Sequence, residues 1–133
     1  MRLVLALALF VAVPAQAALP VVGHWFGYGQ PWNKSAMYLD SMEPDGRFHA
    51  HHRYCIKGKS NDQYEEGAWS VDKDILTIRV ATVNGQFNPR VDDYKLLSVN
   101  AKEERYTYIP MNFGYSAKRV DAKFQMPACD LVS

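Results

Sequence analysis

Past its first twenty residues the chain alternates apolar and polar positions in short runs, and each run stops at a cluster of turn-forming residues. Phe48, Ala50, His52, Tyr54 and Ile56 fall on every second position and form a mostly apolar face, the period of a strand with one side buried. The same pattern predicts strands near residues 21–29, 36–43, 47–56, 65–71, 75–83, 91–99, 104–110 and 113–121. Ile75 to Val83 has the β-branched richness of a central strand. Glu43-Pro44-Asp45-Gly46 is a tight turn, with Pro and Gly at positions that suit their backbone preferences. Val71 to Asp74, Asn84-Gly85 and Ser98 to Lys102 read as further hairpin turns, and Lys57 to Asp62 as a polar loop. No segment of this region carries a helical period.

Eight short strands in a chain of 133 residues predict an all-β fold, an eight-stranded antiparallel up-and-down barrel. Closure removes the unpaired edges that an open sheet would present. A barrel of this size encloses either packed side chains or one small ligand. An eight-stranded sandwich is the competing architecture.

The N-terminus changes where this barrel is expected to reside. Arg2, the apolar run Leu3 to Val13, Pro14 and the small-x-small Ala15-Gln16-Ala17 form a signal-peptide pattern over residues 1–17, too short to span a bilayer. A signal anchor is the alternative. Cleavage after Ala17 predicts one exported domain over residues 18–133, periplasmic or secreted, with no further membrane span. Lys and Arg total 15 and Asp and Glu 14. With Arg2 in the leader, the remaining charges balance, which argues against nucleic acid or an anionic membrane surface as partner. The run Lys102-Glu103-Glu104-Arg105 reads as a solvated hairpin end. Cys55 and Cys129 are the only cysteines, and in an oxidising compartment they predict one disulfide clamping the tail onto the third strand. A reactive pair of free thiols is the alternative.

Gly23-His24-Trp25 opens the first strand and Arg119 lies on the last. This resembles the lipocalin pattern, and with a second Gly-x-Trp at Gly67-Ala68-Trp69 and the order "PDGRF … EEGAW … DILTI" the chain resembles bacterial small lipocalin-like (calycin-type) β-barrel proteins. The resemblance implies that Gly23 and Trp25 pack beneath a basic side chain of the final strand, Arg119 or its neighbour Lys118, and plug the closed end. It also implies that the aromatic loop Gly27 to Asn33, with Tyr28 and Trp32, lies at the open mouth. The tail from Phe124 to Cys129 reads as extended or irregular, with no helix after the barrel.

Candidate chemistry is sparse. His49 and His51 share one face of a strand, a spacing that can ligate one zinc or iron ion, but Cys55 and Ile56 stand where a cupin-like arrangement would place its Glu. The residues predict an outward, wet pair, with a metal site as the alternative. Asp92-Asp93 and Glu65-Glu66 point to opposite faces within each pair and read as ordinary surface charge. No nucleophile elbow or phosphate-cradling glycine loop is present, so the expectation is a protein that is not an enzyme and has no cofactor. Eight tyrosines supply apolar bulk with a polar tip, suited to a cavity or a binding surface. The expected function is binding of a small, partly apolar or amphipathic molecule, with Tyr28, Trp32, Tyr38, Leu76, Ile78 and Tyr94 as candidate contacts. The alternative is an exported protein-binding module, such as an inhibitor of a cell-wall enzyme or an immunity factor. A metal-binding protein using His49 and His51 is third.

Overall fold

The computed structural model describes residues 19–30 and 33–129; the signal peptide expected over residues 1–17 and the candidate contact Trp32 lie outside them. Eight strands follow in order: β1 Gly23–Gln30, β2 Asn33–Met42, β3 Arg47–Ile56, β4 Lys59–Asp72, β5 Ile75–Val83, β6 Gln86–Val99, β7 Glu103–Tyr108 and β8 Phe113–Val120. Each pairs antiparallel with the next, and β8 pairs with β1, so the sheet closes into an up-and-down barrel. This is the expected architecture, and the all-β, lipocalin-like fold class stands. No helix among the described residues is long and apolar enough to cross a membrane.

Local backbone chemistry explains where the strands depart from expectation. Lys57 and Gly58 both have positive φ (51° and 72°), as do Asn84 and Gly85 (50° and 76°). Two consecutive positive-φ residues make the hairpin turn whose twist matches the flanking strands. The polar loop expected over 57–62 is therefore only a two-residue turn, and β4 begins at Lys59. β6 begins earlier than expected because Pro89 is accommodated where the pairing slips, between Val80↔Arg90 and Thr82↔Phe87. An irregular step of this kind tolerates a residue without an N–H. The loop expected over Gly27 to Asn33 is corrected as well, since β1 runs to Gln30 and β2 starts at Asn33.

The closed end is plugged as the resemblance implies. Trp25 is fully buried, its Nε1–H donates to Val21 O at 2.9 Å, and the Arg119 guanidinium lies 4.2 Å from the ring centroid. Arg119 also donates to the carbonyls of Val22 and Pro20, both at 2.7 Å. Gly23 is required here, because its φ is +138° and a Cβ would stand 2.5 Å from an Arg119 nitrogen. The second Gly-x-Trp serves the hairpin end: Trp69 donates from Nε1 to Glu43 O and from its backbone N–H to Gly46 O, tying β4 to the β2–β3 turn.

Two clusters of buried apolar side chains share the sheet. The inner one contains Trp25, Tyr38, Met42, Phe48, Ala50, Leu76, Ile78, Val80, Tyr106 and Ala117. The other lies on the outer wall, where Phe26, Met37 and Leu39 receive Phe124 and Met126 of the tail. Cys55 and Cys129 form a disulfide there, with Cα atoms 5.2 Å apart, so neither is a free thiol. Arg53 reinforces the clamp by donating to Pro127 O at 3.1 Å.

Candidate functional site

Side-chain alternation fixes what enters the barrel. With Trp25 inward on β1, Gly27 and Gly29 follow on the same face, while Phe26 and Tyr28 point out. Tyr28 packs against Phe26 on the outer wall, with ring centroids 5.5 Å apart. Tyr28, expected in a loop at the open mouth, thus sits on β1 with its ring on the outer wall. Gly27 instead makes room for Tyr38, because a Cβ there would stand 2.6 Å from the Tyr38 ring tip. Tyr38, Leu76, Ile78 and Tyr94 do come together around the interior.

The interior holds two adjoining chambers. The outer one, about 180 Å³, is ringed by Tyr38, Tyr54, Tyr94, Tyr106 and Tyr115, with Asp40 and His52 at its floor. The inner one, about 50 Å³, shares Asp40, His52, Tyr94 and Tyr106 with it and adds Glu65, Arg90, Asp92 and Glu104. Tyr106 donates its hydroxyl proton to the Tyr38 hydroxyl at 2.6 Å, and Tyr94 packs edge-on against Tyr106 with centroids 5.3 Å apart. A separate groove of about 300 Å³ lies outside, where Phe26, Tyr28 and Lys118 form part of its wall.

Four carboxylates inside so small a barrel are the unexpected feature. Glu65, Asp92 and Glu104 are buried, and Asp40 is half-buried with its side chain on the chamber wall. The expectation of ordinary surface charge is therefore corrected for Glu65 and Asp92, and that of a solvated hairpin end for Glu104. The physical reason is strand parity: Glu65 lies two residues from Gly67, and Glu104 two residues from Tyr106, both inward positions. Arg90 compensates part of this charge, reaching Glu65 at 2.8 Å and Asp92 at 2.7 Å, and His52 stands 3.4 Å from Glu65.

Asp40 and Glu104 are less well compensated. The register sets Asp40, Ala50 and Glu65 side by side on β2, β3 and β4, with only an alanine methyl between the carboxylates. Burial, and then the Glu65 charge, pushes the Asp40 pKa up to about 7. Burial pushes Glu104 up to about 8, the Asp40 charge adds to this, and Arg119 offsets part of it. The Oε2 atom of Glu104 is buried without a hydrogen-bond partner. His52 shifts the opposite way, because burial disfavours its charged form more than Glu65 favours it.

A pH dependence of stability follows. Between its unfolded value near 4.5 and its folded value of about 8, Glu104 binds more protons in the native state than in the unfolded one. Asp40 does the same between 3.8 and about 7. Stability contributed by the protonated forms is lost as pH rises through those folded values. Depression of His52 works the other way, below its ordinary value of 6.5, so the window from about pH 6.5 to 8.5 isolates the carboxylates. The melting temperature should fall across that window. Glu104→Gln should flatten the fall and stabilise the protein by about 1–2 kcal/mol at the alkaline end, by removing a buried charge. Thermal melts of the two proteins across the window check this, and a melting temperature that rises with pH in the parent contradicts it.

The histidine pair stands on the outer wall. His49 lies 3.2 Å from Glu43 Oε1, while His51 lies 2.8 Å from Asp62 Oδ1 and stacks on Tyr64. Among the described residues no group of three or more His, Cys, Asp or Glu gathers to hold a metal ion. Two imidazoles with separate carboxylate partners hold a metal weakly, and Cys55 offers no thiolate. Zinc titrated into metal-free protein should therefore bind no tighter than about micromolar. Tight stoichiometric binding that disappears in a His49→Ala/His51→Ala double variant would contradict this.

A scan against protein-family models finds no match for this chain, and a search of curated proteins finds none either.

Proposed function

We propose that this protein is an exported, non-enzymatic barrel of the small bacterial lipocalin-like kind, periplasmic or secreted, that binds one small, partly apolar molecule through its open end. The observation that carries this reading is the pair of adjoining chambers, tyrosine-walled outside and carboxylate-lined inside. A barrel built only for stability gains nothing from burying Glu104 with an orphaned oxygen. The outer chamber, about 180 Å³, lies below the roughly 300–1,000 Å³ of pockets for drug-sized ligands. The ligand is accordingly compact. Tyrosine walls suit such a guest, since they offer apolar faces together with hydroxyl groups. The disulfide is compatible with export.

Native mass spectrometry of protein purified from its own host tests the reading. A retained small-molecule mass, reduced in a Tyr106→Ala variant that still folds, supports it. A bare protein mass from gentle isolation, together with no binding of any small molecule in solution, sinks it.

A second reading, an exported module that binds a protein, draws on the rim. Ile56, Phe87, Ile109 and Met111 are all exposed at the open end, Phe87 at 82%. Exposed apolar side chains gathered at one end favour a docking role. Charge substitutions at Phe87 and Met111 separate the two readings, because they would abolish binding of a protein at the rim and leave occupancy of the chambers unchanged.

A further inference from the structure

We infer that the molecule bound is an organic cation, a primary amine whose ammonium group enters the inner chamber between Asp40 and Glu104 while its body lies among the tyrosine rings. This rests on the reading of the chambers as a ligand site, and deepens it by naming the ligand's chemistry.

Three independent features of the chamber converge on that chemistry. The first is an acceptor that lacks a donor. Glu104 is 1% exposed, lines the inner chamber, and leaves Oε2 unpartnered. An unsatisfied buried acceptor is destabilising, and a donor placed in the chamber removes that cost.

The second is charge. Arg90 is shared by Glu65 and Asp92. Arg119 donates from Nη1 and Nη2 to backbone carbonyls and lies over the Trp25 ring, its Nε unpartnered, and it offsets Glu104 only in part. His52 faces Glu65 and is held toward its neutral form by burial. Near neutral pH Asp40, pushed up to about 7, and Glu104, pushed up to about 8, each hold a proton in a substantial share of molecules, and an arriving cation favours their ionised forms. An anion would meet four carboxylates.

The third is shape. An inner volume of about 50 Å³ exceeds the roughly 10–15 Å³ that holds one water and is the smaller of the two chambers, suited to a compact polar head. The outer chamber of about 180 Å³ takes the body among the rings of Tyr38, Tyr94 and Tyr106 that wall it. An ammonium has three donors, which suit two carboxylates and one tyrosine oxygen.

The test uses three probes of matched size, benzylamine, benzyl alcohol and benzoate, titrated at pH 8 while the tyrosine ring resonances are followed by NMR. Benzylamine should bind at least about tenfold tighter than the alcohol, a difference of about 1.4 kcal/mol, and benzoate weakest. Glu104→Gln and Asp40→Asn should each shrink the amine's advantage while leaving the alcohol's affinity nearly unchanged. Calorimetry in phosphate and in Tris should show about one proton released per amine bound near neutral pH, as the carboxylates ionise. A neutral or anionic probe that binds as tightly as the amine overturns the inference and leaves the ligand-binding reading in place. No movement of the interior tyrosines with any of the three overturns both.

Discussion

Replacing Trp25 by alanine should destabilise the protein by about 3–5 kcal/mol, the range for truncating a buried large aromatic. The side chain is completely enclosed and fills the closed end. Its loss also orphans the Val21 carbonyl, which accepts the indole N–H, and removes the surface on which the Arg119 guanidinium rests. Arg119 Nε already lacks a hydrogen-bond partner, so a guanidinium over an empty cavity is costly as well as loose. Trp25→Phe keeps a ring beneath the guanidinium and loses mainly the N–H bond, so it should cost less than the alanine change. Urea unfolding of the two variants checks the ordering. A Trp25→Ala variant within about 1 kcal/mol of the parent would mean that the plug does not organise the barrel.

Opening the disulfide should cost nearly as much, about 2–5 kcal/mol. It joins residues 74 positions apart, and in the chain-entropy model a loop of that length restricts the unfolded chain strongly. Its structural reach is narrower, because the tail it holds packs on the outer wall, in the cluster with Phe26, Met37 and Leu39, and accepts a hydrogen bond from Arg53. Cys55→Ser/Cys129→Ser should therefore unfold earlier yet keep its barrel. Amide exchange should rise first over residues 121–129, and ligand binding in the chambers should survive. Loss of the interior tyrosine contacts in the double variant would show that the tail supports the binding site, which the geometry does not indicate.

Much of this fold is legible in the residue pattern, and the parts that are not have identifiable physical causes. Alternation marks all eight strands, because the inner face is buried and the outer face mostly wet, with Phe26 and Met37 under the tail as the exceptions on β1 and β2. The plug and the disulfide can be read because few residues compete for those roles: one Gly-x-Trp opens the first strand, and two cysteines exist in the whole chain. The interior acids are hidden by the rule that makes the pattern readable, since Asp and Glu count as outward residues. Strand parity alone reveals them. Asp40 lies between Tyr38 and Met42, and Glu104 two residues before Tyr106, each in phase with inward neighbours. Counting from Trp25 in the same way puts Tyr28 outside. The turn at Lys57-Gly58 was obscured by a lysine in a backbone conformation usually left to Gly or Asn.

The claim that the interior is the functional surface is tested most directly by a crystal structure of the protein with the molecule it retains from its own host. Electron density for a compact amine should span the two chambers, its nitrogen within hydrogen-bond distance of Asp40 and Glu104 and its body against Tyr38, Tyr94 and Tyr106. Density confined to the outer groove beside Tyr28 and Lys118, over chambers holding only water, would contradict it.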